Sequence, residues 1–123
     1  MFEKPLSPHL QIYKPQLTSV LSIMHRISGV SLIVGLLLLL WWLYALSQGG
    51  EAYTSLMMFM VSSFGTFLKL ALIFATTFHL INGIRHIMWD LGFFLDVKAV
   101  YYTGWGVVLV ATIVSCFLWV ISL

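Results

Sequence analysis

The sequence predicts an all-α integral membrane protein, with three transmembrane helices in an up-down bundle, N-terminus inside and C-terminus outside. Three observations carry that expectation. Of 123 residues, 61% are hydrophobic and only 8% are charged, where a soluble domain has about 25% charged residues. Three apolar stretches are each long enough to cross a hydrocarbon core of about 30 Å, which takes roughly 20 helical residues. The basic residues collect on one side of those stretches.

A single membrane-anchor domain is expected over 1–123. Residues 1–20 read as a cytoplasmic surface segment, because Pro5, Pro8 and Pro15 each prevent a continuous helix. Thr18 or Ser19 is the expected cap of the first helix. The transmembrane helices are expected at about 21–47, 64–88 and 104–123. The first contains LIVGLLLLLWWLYAL, the second FGTFLKLALIFATTFHLINGIRHI, and the third runs to the chain end. SQGGEAYTS (47–55) reads as a flexible turn and LGFFLDVKAVYYTG (91–104) as a short amphipathic connection. A cleaved signal peptide is not expected, since the first apolar run is too long and begins too far from the N-terminus.

Lys4, Lys14 and Arg26 precede or open the first span, while Arg85 and Lys98 close or follow the second. Three crossings put all five on one face, which the positive-inside rule makes cytoplasmic or matrix. Lys69 is left near the opposite face, where it can snorkel outward. Trp41, Trp42 and Tyr44 read as an interfacial aromatic belt at the outer end, with Trp89, Tyr101 and Tyr102 matching it inside. A net charge of +2 without a basic cluster argues against nucleic acid as a partner. The single cysteine, Cys116, excludes an intrachain disulfide or a cysteine metal cluster built by this chain alone.

Ionisable groups inside a span are costly and face protein, water or a bound group. On the second helix Ala75, His79 and Gly83 recur at i, i+4, with Asn82 and His86 near the same face. Small residues around one imidazole suit a bulky planar ligand, and haem iron takes such an axial nitrogen. They equally suit close helix packing with a histidine hydrogen-bonding across the contact. On the first helix Ser22, His25, Arg26 and Gly29 share a face. Arg26 fits either lipid phosphates or, with Ser22, a carbonyl-bearing ligand or the carboxylates of a haem edge. Asp90 is expected to pair with an arginine, ahead of capping a loop or taking part in proton transfer. No Ser-His-acid set, phosphate loop or pair of intramembrane carboxylates is present.

Three ordered motifs, KPLSPHLQIY (4–13), SIMHRISG (22–29) and HLINGIRHIMWD (79–90), together resemble the large cytochrome b anchor subunits of succinate dehydrogenase. Lys4 stands where arginine is common, a like-charged change. The resemblance implies a membrane anchor of respiratory complex II, serving electron transfer in the tricarboxylic acid cycle and aerobic respiration. It implies a second hydrophobic anchor subunit, an iron–sulfur subunit and a flavoprotein subunit as partners, within membrane lipid. His79 would be an axial ligand of one haem b, whose opposite ligand comes from the second anchor subunit. Ser22 and Arg26 would line the ubiquinone site, while His25, Arg26, His86 and Asp90 would support the haem propionates or proton contacts. Succinate oxidation itself would belong to other chains. The rival readings are an anchor of a quinol:fumarate reductase and a non-redox small membrane protein. No Arg/Ser-rich leader precedes Pro5, which favours a bacterial inner membrane over a mitochondrial one.

Overall fold

The computed structural model describes residues 14–122, which form four α-helices joined by short breaks. The motif at 4–13 lies outside the described residues. Helix α1 runs Leu17–Gln48, α2 Gly50–Val61, α3 Ser63–Asp90 and α4 Val97–Ile121. By length and composition α1, α3 and α4 are able to cross a membrane. At 1.5 Å per residue they span roughly 48, 42 and 37 Å, more than the hydrocarbon core requires.

Helix α1 begins before either expected cap: its N-cap is Gln16, with no side-chain hydrogen bond. Pro15 stands just ahead of that cap and cannot donate a backbone N–H to a helix. The expected flexible turn at 47–55 is in fact a one-residue break followed by α2. Gly49 takes φ 83°, a left-handed conformation open to glycine without steric cost. The helix then resumes at Gly50 and buries Leu56. It stops at Ser62, whose hydroxyl accepts from the Gly65 N–H at 3.1 Å and so caps α3. The corner is tight: a β-carbon on Gly65 would collide with the Phe59 carbonyl and lie 2.8 Å from Met60 Cα.

The connection expected at 91–104 is also shorter, because α4 starts at Val97. Helix α3 ends with Gly92 at φ 84°, the Phe93 N–H on the Met88 carbonyl and the Gly92 N–H on that of Trp89. This paired closure around a left-handed glycine satisfies carbonyls that the helix leaves open. Four residues on, Asp96 accepts from the Ala99 N–H at 3.0 Å and starts α4.

The helices run antiparallel in sequence order. Gly29 approaches His79 and Gly35 approaches Leu72, so α1 and α3 run in opposite senses. Arg85 reaches Thr103, and Lys69 reaches the Ser122 carbonyl, which reverses α4 against α3. Leu21, Phe78, Val107 and Ala111 form the buried core where the three long helices meet. Gly104 lets α1 close on α4; a β-carbon there would stand 3.0 Å from Leu17 and 3.1 Å from Leu21. Small residues at such contacts are how helices associate in lipid, where packing replaces hydrophobic burial. Large apolar side chains such as Val30, Ile33, Leu37 and Leu40 point outward from α1, the pattern of a helix meant for apolar surroundings. Trp41, Trp42 and Tyr44 are likewise exposed.

Candidate functional site

Polar side chains concentrate where the first half of α1 crosses the second half of α3. Turns of α1 present His25, Ser28 and Gly29, and turns of α3 present His79, Gly83 and His86. The imidazoles of His25 and His79 stack face to face, with centroids 4.0 Å apart and planes within 6°. Gly29 makes this close approach possible, while Gly83 leaves only an ordinary contact. A β-carbon at Gly29 would lie 3.0 Å from His79 Cε1, and one at Gly83 would lie 3.8 Å from His25 Cε1.

His79 Nδ1 is held inside the chain, 3.1 Å from the Ser28 hydroxyl and 3.1 Å from the His25 carbonyl. A carbonyl oxygen only accepts, so Nδ1 carries a proton, and in the neutral ring the lone pair is then on Nε2. That leaves one basic ring nitrogen able to bind a metal or accept a hydrogen bond. The cluster continues along α3. His86 packs on His25 at 5.1 Å, Trp89 meets His86 edge-on at 5.1 Å and 87°, and the Arg85 guanidinium lies 4.0 Å over the Trp89 ring. His25 Nδ1 and Trp89 Nε1 are buried without a hydrogen-bond partner among the described residues.

Arg85 is buried and donates to Thr103 Oγ1 at 3.0 Å and to the Val100 carbonyl at 2.8 Å, with Asn82 Oδ1 at 3.5 Å. Arg85 thus spends its donors on α4 and does not provide the arginine partner expected for Asp90. Asp90, the last residue of α3, is exposed and makes no ion pair among the described residues. Trp89 is not the free interfacial anchor its position suggests, since cation–π and edge contacts hold it against Arg85 and His86.

Of the residues singled out in the sequence, His79, His25 and His86 come together. Ser22 is half-buried one turn before His25, and Arg26 is exposed beside it. Asn82 is fully buried and turns to Arg85. Two functional neighbours escape the sequence reading. Ser28, 6% exposed, follows His25 by three residues, the one local signal that it lies near that imidazole. Thr103 gives no signal at all, because its partner lies on another helix.

A separate cavity of about 860 Å³ opens between α1, α2 and α3, lined by residues such as Leu36, Leu39, Met57, Met60 and Leu72 with Lys69. Its lining is mostly aliphatic and thioether, with Trp42, Thr76 and Thr77 besides, and none of the histidines among the described residues borders it.

The model of the succinate dehydrogenase/fumarate reductase transmembrane subunit family matches residues 2–118. The chain is 43% identical over 121 residues to the succinate dehydrogenase cytochrome b556 subunit of Rickettsia bellii, covering 96% of this chain and 92% of that one. It is 42% identical over 110 residues to the cytochrome b560 subunit of Marchantia polymorpha, covering 82% and 77%. To the cytochrome b556 subunit of Paracoccus denitrificans it is 36% identical over 95 residues, covering 77% and 73%. With a match along nearly its whole length, three long apolar helices and a histidine cluster between two of them, the chain belongs to the succinate dehydrogenase/fumarate reductase transmembrane subunit family, as a membrane cytochrome b subunit of succinate dehydrogenase.

Proposed function

We propose that this chain holds one haem b jointly with a second hydrophobic anchor subunit and supplies part of the ubiquinone-reduction site of succinate dehydrogenase. The observation that carries the reading is the state of His79. Its Nδ1–H is spent inside the chain, which in the neutral ring leaves the lone pair on Nε2, and Gly29 lets the ring lie directly against α1. That donor chemistry fits an axial imidazole. The face-to-face stack at 4.0 Å does not set His25 across a metal from His79, which supports a ligand from the partner anchor subunit as the opposite one. When bound, the haem would supply a one-electron carrier close to the quinone.

The remaining polar groups fit the edge of such a site. His25, Arg26, His86 and Asp90 would receive the propionates or supporting proton contacts, with His25 and His86 already packed together. The Ser22 hydroxyl would donate to a quinone carbonyl, and Arg26, exposed on the next positions of α1, would bias that oxygen toward negative charge. Basic residues on one side of the spans support an N-terminus on the cytoplasmic face of a bacterial inner membrane. The iron–sulfur and flavoprotein subunits would dock on that face and bring electrons from succinate. The names of the relatives, all succinate dehydrogenase subunits, favour this direction over quinol:fumarate reduction.

The decisive measurement is the reduced-minus-oxidised spectrum of the purified complex, wild type against His79→Ala. Loss of the b-type signal is expected; an unchanged signal would remove His79 as ligand. Ser22→Ala and Arg26→Ala are expected to impair quinone reduction while succinate oxidation by an artificial dye persists. Unimpaired quinone reduction in both variants would contradict the quinone assignment, whereas equal loss of both activities would point to failed assembly instead.

A further inference from the structure

The Ser28 hydroxyl is buried at 6% exposure and makes two contacts at once. It donates to the His25 carbonyl at 2.8 Å, one turn back on its own helix. Its oxygen also lies 3.1 Å from His79 Nδ1, across the α1–α3 contact. The same carbonyl stands 3.1 Å from that nitrogen, so the three polar atoms close a small ring. Only one proton arrangement satisfies it. If Nδ1 were bare, its lone pair would face the carbonyl lone pairs with nothing between them. With Nδ1 protonated, the imidazole N–H is shared between two oxygens and the hydroxyl proton goes to the carbonyl. The carbonyl is thus already engaged by the hydroxyl, whereas the hydroxyl oxygen has lone pairs free. Ser28 is the better-placed acceptor.

Geometry restricts the ring in other directions too. His25 covers one face of His79, and Gly29 brings the α1 backbone up to Cε1. Rotation about the last side-chain bond of His79 would break both hydrogen bonds. A buried hydroxyl in an apolar run, with its back-bond to the preceding turn fixing its rotamer, is the element that selects the ring plane.

We propose that Ser28 is a positioning residue for His79: while the His25 carbonyl selects the Nδ1–H tautomer, Ser28 holds the ring plane, and by sharing that proton it sets how strongly Nε2 would donate to iron. This rests on the reading of His79 as haem ligand. An acceptor on the far nitrogen makes a ligating imidazole more basic. A more basic ligand favours oxidised iron over reduced, so Ser28 holds the haem potential down. Second-shell hydrogen bonding is one of the levers by which proteins tune haem.

The test is a redox titration of the b haem in the purified complex, followed optically, for wild type, Ser28→Ala, Ser28→Thr and His79→Ala. Ser28→Ala is expected to keep the haem and raise its midpoint potential. The reduced-to-oxidised ratio at a fixed ambient potential should rise by up to about tenfold, or about 59 mV for one electron. Threonine can place its hydroxyl in the same back-bonded rotamer, and Ser28→Thr is expected to return the potential to the wild-type value. Where the alanine variant does not assemble, Ser28→Cys keeps the volume with a much weaker acceptor and is expected to shift the potential the same way. An unshifted alanine or cysteine variant, or a threonine variant shifted as far as alanine, overturns the role of Ser28. Those results leave His79 as ligand intact, whereas a persistent haem signal in His79→Ala removes the ligand reading itself.

Discussion

Gly29 lies against the His79 imidazole so closely that a β-carbon at that position would stand 3.0 Å from Cε1. One backbone atom group of α1 therefore defines a wall of the site, and the absence of a side chain there has a purpose that helix propensity would not predict. Glycine inside a helix costs roughly 1 kcal/mol against alanine. In this position the cost is offset by the room it leaves for the ring.

Enlarging that wall should act in steps. Gly29→Ala calls for a shift of a few tenths of an ångström and is expected to broaden or move the b-type absorbance while leaving haem in place. Gly29→Val, with two more carbons at the same point, is expected to displace His79 and lose most of the haem. Spectra of the two variants, normalised to complex content, check the order; equal spectra would show that α1 yields at this contact.

Arg85 joins α3 to α4 through bonds that depend on a planar, forked donor: Nε to Thr103 and a terminal nitrogen to the Val100 carbonyl. Lysine carries the same charge as a single point and cannot reproduce the fork. Arg85→Ala and Arg85→Lys are both expected to destabilise the α3–α4 pair, by about 2 kcal/mol. Thermal unfolding of the detergent-purified complex measures it, and a lysine variant as stable as wild type would show that charge alone suffices.

Trp89 offers a contrast between ring and N–H. Its Nε1 is buried and unpartnered, while its ring carries the Arg85 guanidinium and the edge of His86. Trp89→Phe keeps an aromatic face and discards an unsatisfied donor, so little change in stability is expected. Trp89→Leu removes the face and should cost about 1–2 kcal/mol. The same unfolding measurement distinguishes them; a phenylalanine variant as weak as leucine would mean that the indole N–H has a partner in the assembled complex.

At the α2–α3 corner, Gly65 has backbone atoms of Phe59 and Met60 where a β-carbon would go. Backbone cannot swing aside as a side chain can. Gly65→Ala is expected to destabilise by about 1–3 kcal/mol, seen as a lower unfolding temperature, whereas Gly50→Ala, with open space around it, should be neutral.

The three spans were legible because hydrocarbon leaves the backbone no option but helix over about 20 apolar residues. What lay between them was not. GlyGly at 49–50 reads as a loop, yet only Gly49 breaks the helix and Gly50 begins the next. The aromatic-rich stretch around Phe93 and Tyr101 hid the Asp96 cap, which alone marks where α4 starts. In the site, the four-residue rhythm of Ala75, His79 and Gly83 and of Ser22, Arg26 and their neighbours identified two faces. It did not say how those faces meet, because the rotation of one helix against another is set by packing rather than by either periodicity. Ser28 on α1 and Thr103 on α4 acquire their partners only through that rotation.

The clasps between helices are unevenly distributed. Helix α4 is fastened to α3 near both ends, by Arg85 to Thr103 and Val100 and by Lys69 to Ser122 and Trp119. The hydrogen bonds from α1 to α3 both converge on a single atom, His79 Nδ1. Mechanically, α3 and α4 are braced by polar clasps near both ends, whereas α1 is held by the packing of Leu17 and Leu21 together with this one polar latch. A slip of α1 by a single residue, about 1.5 Å along its axis, would open that latch and unstack the imidazoles together. Strain delivered along α1 from its N-terminal end would meet the packing of Leu17 and Leu21 on α4 and Phe78 and then the ring of His79.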